Sequence, residues 1–348
     1  MPALKEGAGL GDGTLGLGLF ALAITALVAQ PAAGALVARF GSRAIVRLGG
    51  VVYGAALCLP GLAADPLAFA ATAALVGAGA GLLDVAMNVA GAEVEERSPR
   101  RMFSSLHAAY SFGAMGGAAI AGAVAGAGVD VAVHLAIGGA IVAAVVLVAA
   151  RWMLPVAGHA GAGLARPTRA LAVLGAVAFC ALLAEGSVAD WSPVYLDRDL
   201  AAGPVVAAFG LTAFQLCMGV GRLAADPVAE RLGAVAVIRG GGLLAMTGLA
   251  VALAVSEPTV AIAGFAVMGI GLAGAFPLVL LAGAEGRETD AAPAIAAVST
   301  AGYTGLLVGP AVIGMVSEAT SLPAALWLVV ALSAVLAALA GTARPRAA

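Results

Sequence analysis

The chain has 348 residues, of which 62% are hydrophobic and only 10% charged, with 17 basic and 19 acidic side chains. A soluble domain carries about one charged residue in four, so a water-soluble fold of this length would lack the polar surface to cover itself. Ordinary cytosolic enzymes, nucleic-acid binders and disordered chains are excluded, and a near-neutral net charge of −2 offers nothing to a polyanion.

The apolar residues fall in blocks long enough to cross a bilayer. In chain order they predict eleven helices over 15–37, 44–62, 67–90, 104–127, 131–153, 171–195, 204–224, 235–255, 259–283, 294–317 and 322–341. The runs are too long and lack the alternation of a barrel strand, and helices satisfy their own backbone in lipid. Of the 17 basic residues, 15 lie at 38–47, 91–103, 151–170, 222–239, 285–293 and in the C-terminal tail, leaving Lys5 and Arg198 on the other side. The positive-inside rule makes the first set cytoplasmic, which puts the C-terminus inside and the N-terminus outside. The segment Met1-Pro-Ala-Leu-Lys-Glu-Gly lacks the order of a signal peptide.

Shifting the chain by 192 residues aligns 39–122 with 231–314 without gaps. Gly77 and Gly79 fall on Gly269 and Gly271, and Ala90-Gly-Ala-Glu93 on Ala282-Gly-Ala-Glu285. Nine of the thirteen glycines in the window meet a glycine where composition alone gives about two, so the repeat is real. At this offset the partner of 171–195 falls before Met1. A first helix is therefore expected to be missing, through a start codon assigned too far downstream or because the protein truly has eleven helices.

Gly34-Ala-Leu-Val-Ala-Arg39-Phe-Gly41-Ser-Arg43 follows the first span, and a degenerate copy, Asp226-Pro-Val-Ala-Glu-Arg231-Leu-Gly233, is preceded by Gly219-Val-Gly-Arg222. These segments resemble the loop signature of the major facilitator superfamily, G-x-L-x-D-R-x-G-R-R, with Ala38 in place of the aspartate and Ser42 in place of an arginine. The resemblance implies two pseudo-symmetric helical bundles, here five helices plus six: an N-terminal bundle over 1–154, a cytoplasmic linker over 155–170 and a C-terminal bundle over 171–348. The runs Asp84-Val-Ala-Met-Asn88-Val-Ala-Gly91, Ser105-Leu-His107-Ala-Ala-Tyr110-Ser and Glu185-Gly-Ser-Val-Ala-Asp190-Trp191-Ser are similar to the YbjJ-type and MosC-like branch, itself distantly similar to fucose permease.

Ionisable groups in mid-bilayer are costly and need a reason. Asp84 and Asn88 share a helix face with Gly77 and Gly81, expected to look into the bundle. His107, on the next helix, has a comparable depth. The three form either a proton-sensitive cluster near the substrate path or a structural network between helices. Glu185 lies roughly 24 Å from Arg169 along its helix, with no cation nearby in sequence, and is the expected coupling carboxylate or else a hydrated vestibular one. Asp190 follows toward the outer interface, where Trp191 and Tyr195 are expected to anchor the helix. Gln215 is a mid-helix amide for a polar substrate or a neighbouring helix. Pro31 and Pro277 are expected kinks.

No catalytic set, metal site or cofactor motif is present. Cys58, Cys180 and Cys217 lack ligand spacing, and Gly77-Ala-Gly79-Ala-Gly81 sits inside a span with no strand before it. The expected function is secondary transport of a small solute, coupled to protons, by a monomer in the bacterial cytoplasmic membrane with no enzymatic activity. A transport-inactive sensor or scaffold retaining the fold is the alternative.

Overall fold

The structure, a computed structural model, describes residues 12–154, 168–285 and 291–343. The expected linker therefore lies outside the described residues up to 167, as do Lys5 and the basic tail. All eleven expected spans are helical: α1 (Asp12–Phe40), α2 (Ser42–Leu57), α3 (Pro66–Arg97), α4 (Phe103–Gly126), α5 (Val131–Ala149), α6 (Arg169–Val194), α7 (Pro204–Leu232), α8 (Ala234–Val255), the broken pair α9 (Pro258–Leu272) and α10 (Ala275–Ala284), α11 (Ala291–Ala319) and α12 (Leu322–Leu339). Ten spans among the described residues are long and apolar enough to cross a membrane by length and composition, with α9 and α10 counted as one. The chain is a multi-pass membrane protein.

The turns are shorter than expected. The basic stretches at 91–103 and 222–239 are largely helical, because α3 runs on to Arg97 and α7 to Leu232. Only Gly233 separates α7 from α8, as only Gly41 separates α1 from α2. Both adopt the left-handed region, at φ 83° and 82°, which glycine enters without steric cost. The two loop signatures are thus two helix ends joined by a one-residue turn. Gly34 and Arg39 lie on α1, Arg43 opens α2, and Arg222, Asp226 and Arg231 lie on α7. Arg39 stacks over the ring of Phe40. Arg43 donates from Nε to Ala150 O and from Nη2 to Arg151 O, so a cation meets the carbonyl end of α5.

The 192-residue repeat reappears as repeated contacts. A Cβ on Gly77 would collide with Leu22 O, and one on Gly269 with Phe214 O, at equivalent positions. A Cβ on Gly79 would fall 2.6 Å from Tyr53 N, and one on Gly271 2.7 Å from Ala245 N, again equivalent. Each glycine pair allows two helices to touch through backbone, the contact that drives helix association in lipid. The caps repeat as well. Asp65 accepts from Leu67 N and Ala68 N before Pro66, and its equivalent Glu257 accepts from Val260 N before Pro258.

The chain forms two compact units, each with a segment drawn from the other sequence half. One comprises Met1–Val94, Met115–Arg166 and Arg287–Thr300; the other Glu95–Ala114, Pro167–Gly286 and Ala301–Ala348. Residue 95 falls on residue 287 at the repeat offset, so both borrowed segments begin at equivalent places.

The prolines differ. Helix α1 continues through Pro31. The α9–α10 span breaks at Ala273 and Gly274, one turn before Pro277, whose ring displaces the carbonyl of residue 273 and supplies no N–H. Tyr195 corrects another expectation. It is fully buried, donates its hydroxyl to Ala252 O at 3.3 Å and meets Phe265 edge-on at 6.4 Å. The π-helical turn Tyr195–Asp199 accompanies this inward placement, so Tyr195 is a core residue rather than an interfacial anchor. Trp191 donates Nε1–H to Pro310 O.

Candidate functional site

In the unit built largely from the second repeat, two glycines on α7 clear room for polar side chains. A Cβ on Gly219 would press on the Phe112 ring and Ser111 Cβ of α4, and one on Gly221 would fall 2.7 Å from Ala273 Cβ. One residue further on, Arg222 is 6% exposed. It lies roughly 15 Å along the axis from Leu232, about half the depth of a hydrocarbon core. Its guanidinium donates from Nη1 to Ser111 Oγ and from Nη2 to both Glu185 carboxylate oxygens, at 3.4 and 3.3 Å. Glu185 retains 20% side-chain exposure. Nε of Arg222 is buried and meets no acceptor among the described residues.

This geometry corrects two expectations. Glu185 has a cation after all, supplied by the next helix 37 residues on, and Arg222 is not a cytosolic loop residue but a buried one. The pair is separated in sequence and joined only by packing of α6 on α7. Two unlike charges at this depth are mutually required, because removing either strands the other in low dielectric.

One turn beyond Arg222, Asp226 is 1% exposed. Oδ1 accepts from Ser104 N at 3.0 Å, and Oδ2 from Ser105 N at 2.7 Å and Ser105 Oγ at 2.8 Å. Glu95 Oε2 accepts from Met102 N and Phe103 N, and Glu230 Oε1 from Arg101 N at 2.6 Å. Five successive backbone amides at the start of α4 therefore end on three carboxylates. The first amides of a helix have no internal acceptor and carry its positive dipole end, so anions are favoured there. Glu95, Glu230 and Glu285 also border a cavity of about 460 Å³ with Arg100, Arg101 and Leu281. Burial pushes the Glu285 carboxyl above its ordinary range, Arg101 opposing and Glu95 reinforcing.

His107 is placed on α4 with Nδ1 at 3.1 Å from Phe103 O, and its ring stands against Phe103 and edge-on to Phe276, which in turn meets Tyr303 edge-on at 5.9 Å. The expected companions of His107 lie in the other unit. There Asn88 donates Nδ2–H to Asp84 O at 2.9 Å and approaches Asp84 Oδ1 at 3.3 Å, while Gly77 and Gly81 on the same face receive α1. Asp84 and Asn88 thus form one pair, and His107 belongs with the aromatic group. Tyr110 is 66% exposed, Asp190 is exposed and Gln215 is half-buried. Sequence reasoning missed Ser111, Glu95, Glu230, Phe276 and Tyr303. The repeat offset was the available signal for Arg222: it places that residue on Gln30, a position deep within the first span.

Comparison with known proteins agrees with this architecture. The description Major Facilitator Superfamily matches residues 1–174 and again 174–348. An uncharacterized MFS-type transporter of Yersinia pestis is 33% identical over 93% of this chain and 85% of its own length. The membrane protein MosC of Rhizobium meliloti is 30% identical over 97% of this chain and 83% of its own. Among solved structures, the E. coli fucose:proton symporter has a TM-score of 0.82 at 17% identity, covering 99% of this chain and 93% of that one, and the proton:xylose symporter XylE a TM-score of 0.77 at 15% identity, covering 97% and 89%. With its repeated glycine contacts, its two one-residue glycine turns and its matches over both halves, the chain belongs to the Major Facilitator Superfamily of membrane transporters.

Proposed function

We propose that this protein is a proton-coupled secondary transporter of a small polar solute, working by alternating access in the bacterial inner membrane with its C-terminus in the cytoplasm. The observation that carries this reading is the Glu185–Arg222 pair, an ionisable couple at mid-span depth whose carboxylate side chain is one-fifth exposed, 20%, against 7% for the arginine. Protonation of Glu185 releases Arg222, so one proton changes the charge pattern of the translocation path. Intramembrane carboxylates of this kind mark proton routes in transporters. The names of the two fold neighbours, both proton symporters of sugars, agree with it. Asp84 with Asn88 is the second polar pair on the path, and Tyr110, Asp190 and Gln215 are candidate solute contacts.

The test is reconstitution in proteoliposomes with labelled gluconate and labelled L-fucose as probes. Glu185→Gln fixes the neutral form. The expected outcome is that exchange across the membrane persists while accumulation driven by a pH gradient is lost. Exchange needs no proton release, whereas uphill transport does. Full gradient-driven accumulation in Glu185→Gln overturns the role of Glu185 and moves coupling to Asp84 or His107.

A further inference from the structure

We infer that Arg222 is an anion-binding residue and that the transported solute carries a carboxylate, which takes the place of Glu185 on the Arg222 guanidinium when Glu185 is protonated. The inference rests on Glu185 being the protonated group of the proposed function, and it adds the class of solute.

Three features carry it. First, the guanidinium is incompletely used. Two of its nitrogens hold Ser111 and Glu185, while the buried Nε–H points at no acceptor among the described residues. An arginine fork presents more donors than one carboxylate consumes, and a planar carboxylate is the ligand whose geometry matches it. Second, the Glu185 contacts, at 3.3 and 3.4 Å, are longer than the 2.7–2.9 Å of a tight charge-assisted pair, so the glutamate is held loosely on a cation that could be bound more closely. Third, among the described residues the carboxylate that Arg222 holds is Glu185, and the packed helix α8 adds only another cation, Arg239. Asp226, one turn along α7, is committed to three donors at the start of α4. His107, which feels the charges of both Arg222 and Asp226, has Nδ1 on Phe103 O. Helices α9, α10 and α12 carry no ionisable side chain, and on α11 the ionisable side chains are Tyr303 and, near the far end, Glu318.

The consequence follows from charge balance. A neutral solute would leave Arg222 uncompensated whenever Glu185 is protonated, and an unpaired buried charge is costly at this depth. A carboxylate solute restores neutrality in the loaded state. Proton and anion then bind as a neutral set, and each favours the other.

The experiment measures the melting midpoint of the purified full-length protein in detergent with sodium gluconate, sodium acetate, glucose or sodium chloride. Wild type is compared with Glu185→Gln and the double variant Glu185→Gln/Arg222→Gln. In Glu185→Gln the cation is permanently free and no cavity has been made, so a carboxylate must arrive by the native path. The expected result is a rise of roughly 3 °C with gluconate or acetate over equal sodium chloride in Glu185→Gln, a smaller rise in wild type, where Glu185 occupies the guanidinium, and none in the double variant. Glucose is expected to do nothing. No rise from either carboxylate in Glu185→Gln, or an equal rise in the double variant, overturns the inference. Failure of coupling reads differently: the carboxylate still binds through Arg222, but Glu185→Gln keeps gradient-driven accumulation.

Discussion

The two repeats receive a helix start in equivalent places and do so with opposite chemistry. In the second repeat, Asp226 holds the first amides of α4 by three hydrogen bonds. In the first, the equivalent residue is Gly34. A Cβ there would lie 2.6 Å from Ala296 Cβ and 3.1 Å from Ala292 O, so Gly34 receives the start of α11 by close packing. One turn earlier the contrast recurs: Arg222, charged and paired, stands where the first repeat has Gln30, buried with Oε1 unmatched among the described residues. The same fold position is therefore built once from charge and once from close packing. The difference teaches that the charge at this one fold position is concentrated in the second repeat, while the first supplies shape there.

The largest expected effect tests that concentration. Arg222→Gln strands Glu185 and should lower apparent stability by about 3–5 kcal/mol, with much of the loss recovered in Glu185→Gln/Arg222→Gln. Gln30→Leu should cost under about 1 kcal/mol or stabilise, since it removes a buried oxygen without a donor. Thermal melts of the three variants check this, and equal losses at both positions would break the comparison.

Next come the receiving positions themselves. Asp226→Asn should cost about 1–3 kcal/mol and speed hydrogen exchange at the Ser104 and Ser105 amides. Gly34→Ala should cost about 1–3 kcal/mol through overpacking, without opening α4. Exchange mass spectrometry separates the two, because only the first removes an acceptor.

A smaller pair of effects is read from pH. The Glu285 carboxyl titrates above its ordinary 4.5 because of burial, so the folded state holds that proton more tightly than the unfolded one. Its contribution is present below 4.5 and lost as pH rises through the folded value. Glu285→Gln should therefore stabilise at neutral pH, with the gain vanishing below about 4.5. Glu257 titrates below 4.5, held down by the Thr259 hydroxyl and Val260 N–H. Its stabilisation is present above 4.5 and lost as pH falls, so Glu257→Gln should show its deficit at neutral pH only. Parallel pH scans that gave both variants the same sign would overturn the assignment. The smallest effect is expected in the first repeat: Ser42→Ala removes the 2.6 Å bond to Glu93, the equivalent of Glu285, and should cost about 1 kcal/mol in a thermal melt.

Much of this was legible in the residues. The spans follow from blocks of apolar side chains, and the offset of Gly77 and Gly79 from Gly269 and Gly271 announced contacts that the structure then repeats. The site was less legible, for reasons of distance. Glu185 stands out by its depth, but its partner sits 37 residues away on another helix, and charge bias alone puts basic residues near a turn on the aqueous side. Counted from the Gly233 turn at about 1.5 Å per residue, Arg222 lies roughly 16 Å along α7, inside the membrane. The carboxylates of Glu95, Glu230 and Asp226 could not be matched to α4, since backbone amides have no sequence signature and two of the three acids lie more than 120 residues from them.

The five amides that open α4 have a bearing on how the chain is made. Met102 and Phe103 find Glu95 as soon as the neighbouring turn forms, but Arg101, Ser104 and Ser105 must wait for Glu230 and Asp226. A ribosome adds about 5–20 residues per second, so those donors leave the exit tunnel many seconds before their acceptors exist. Through that interval those amides lack the carboxylates that later accept from them, and water is the acceptor within reach. The first repeat is thus inserted with one end unfinished, and it is the arrival of α7 that closes it.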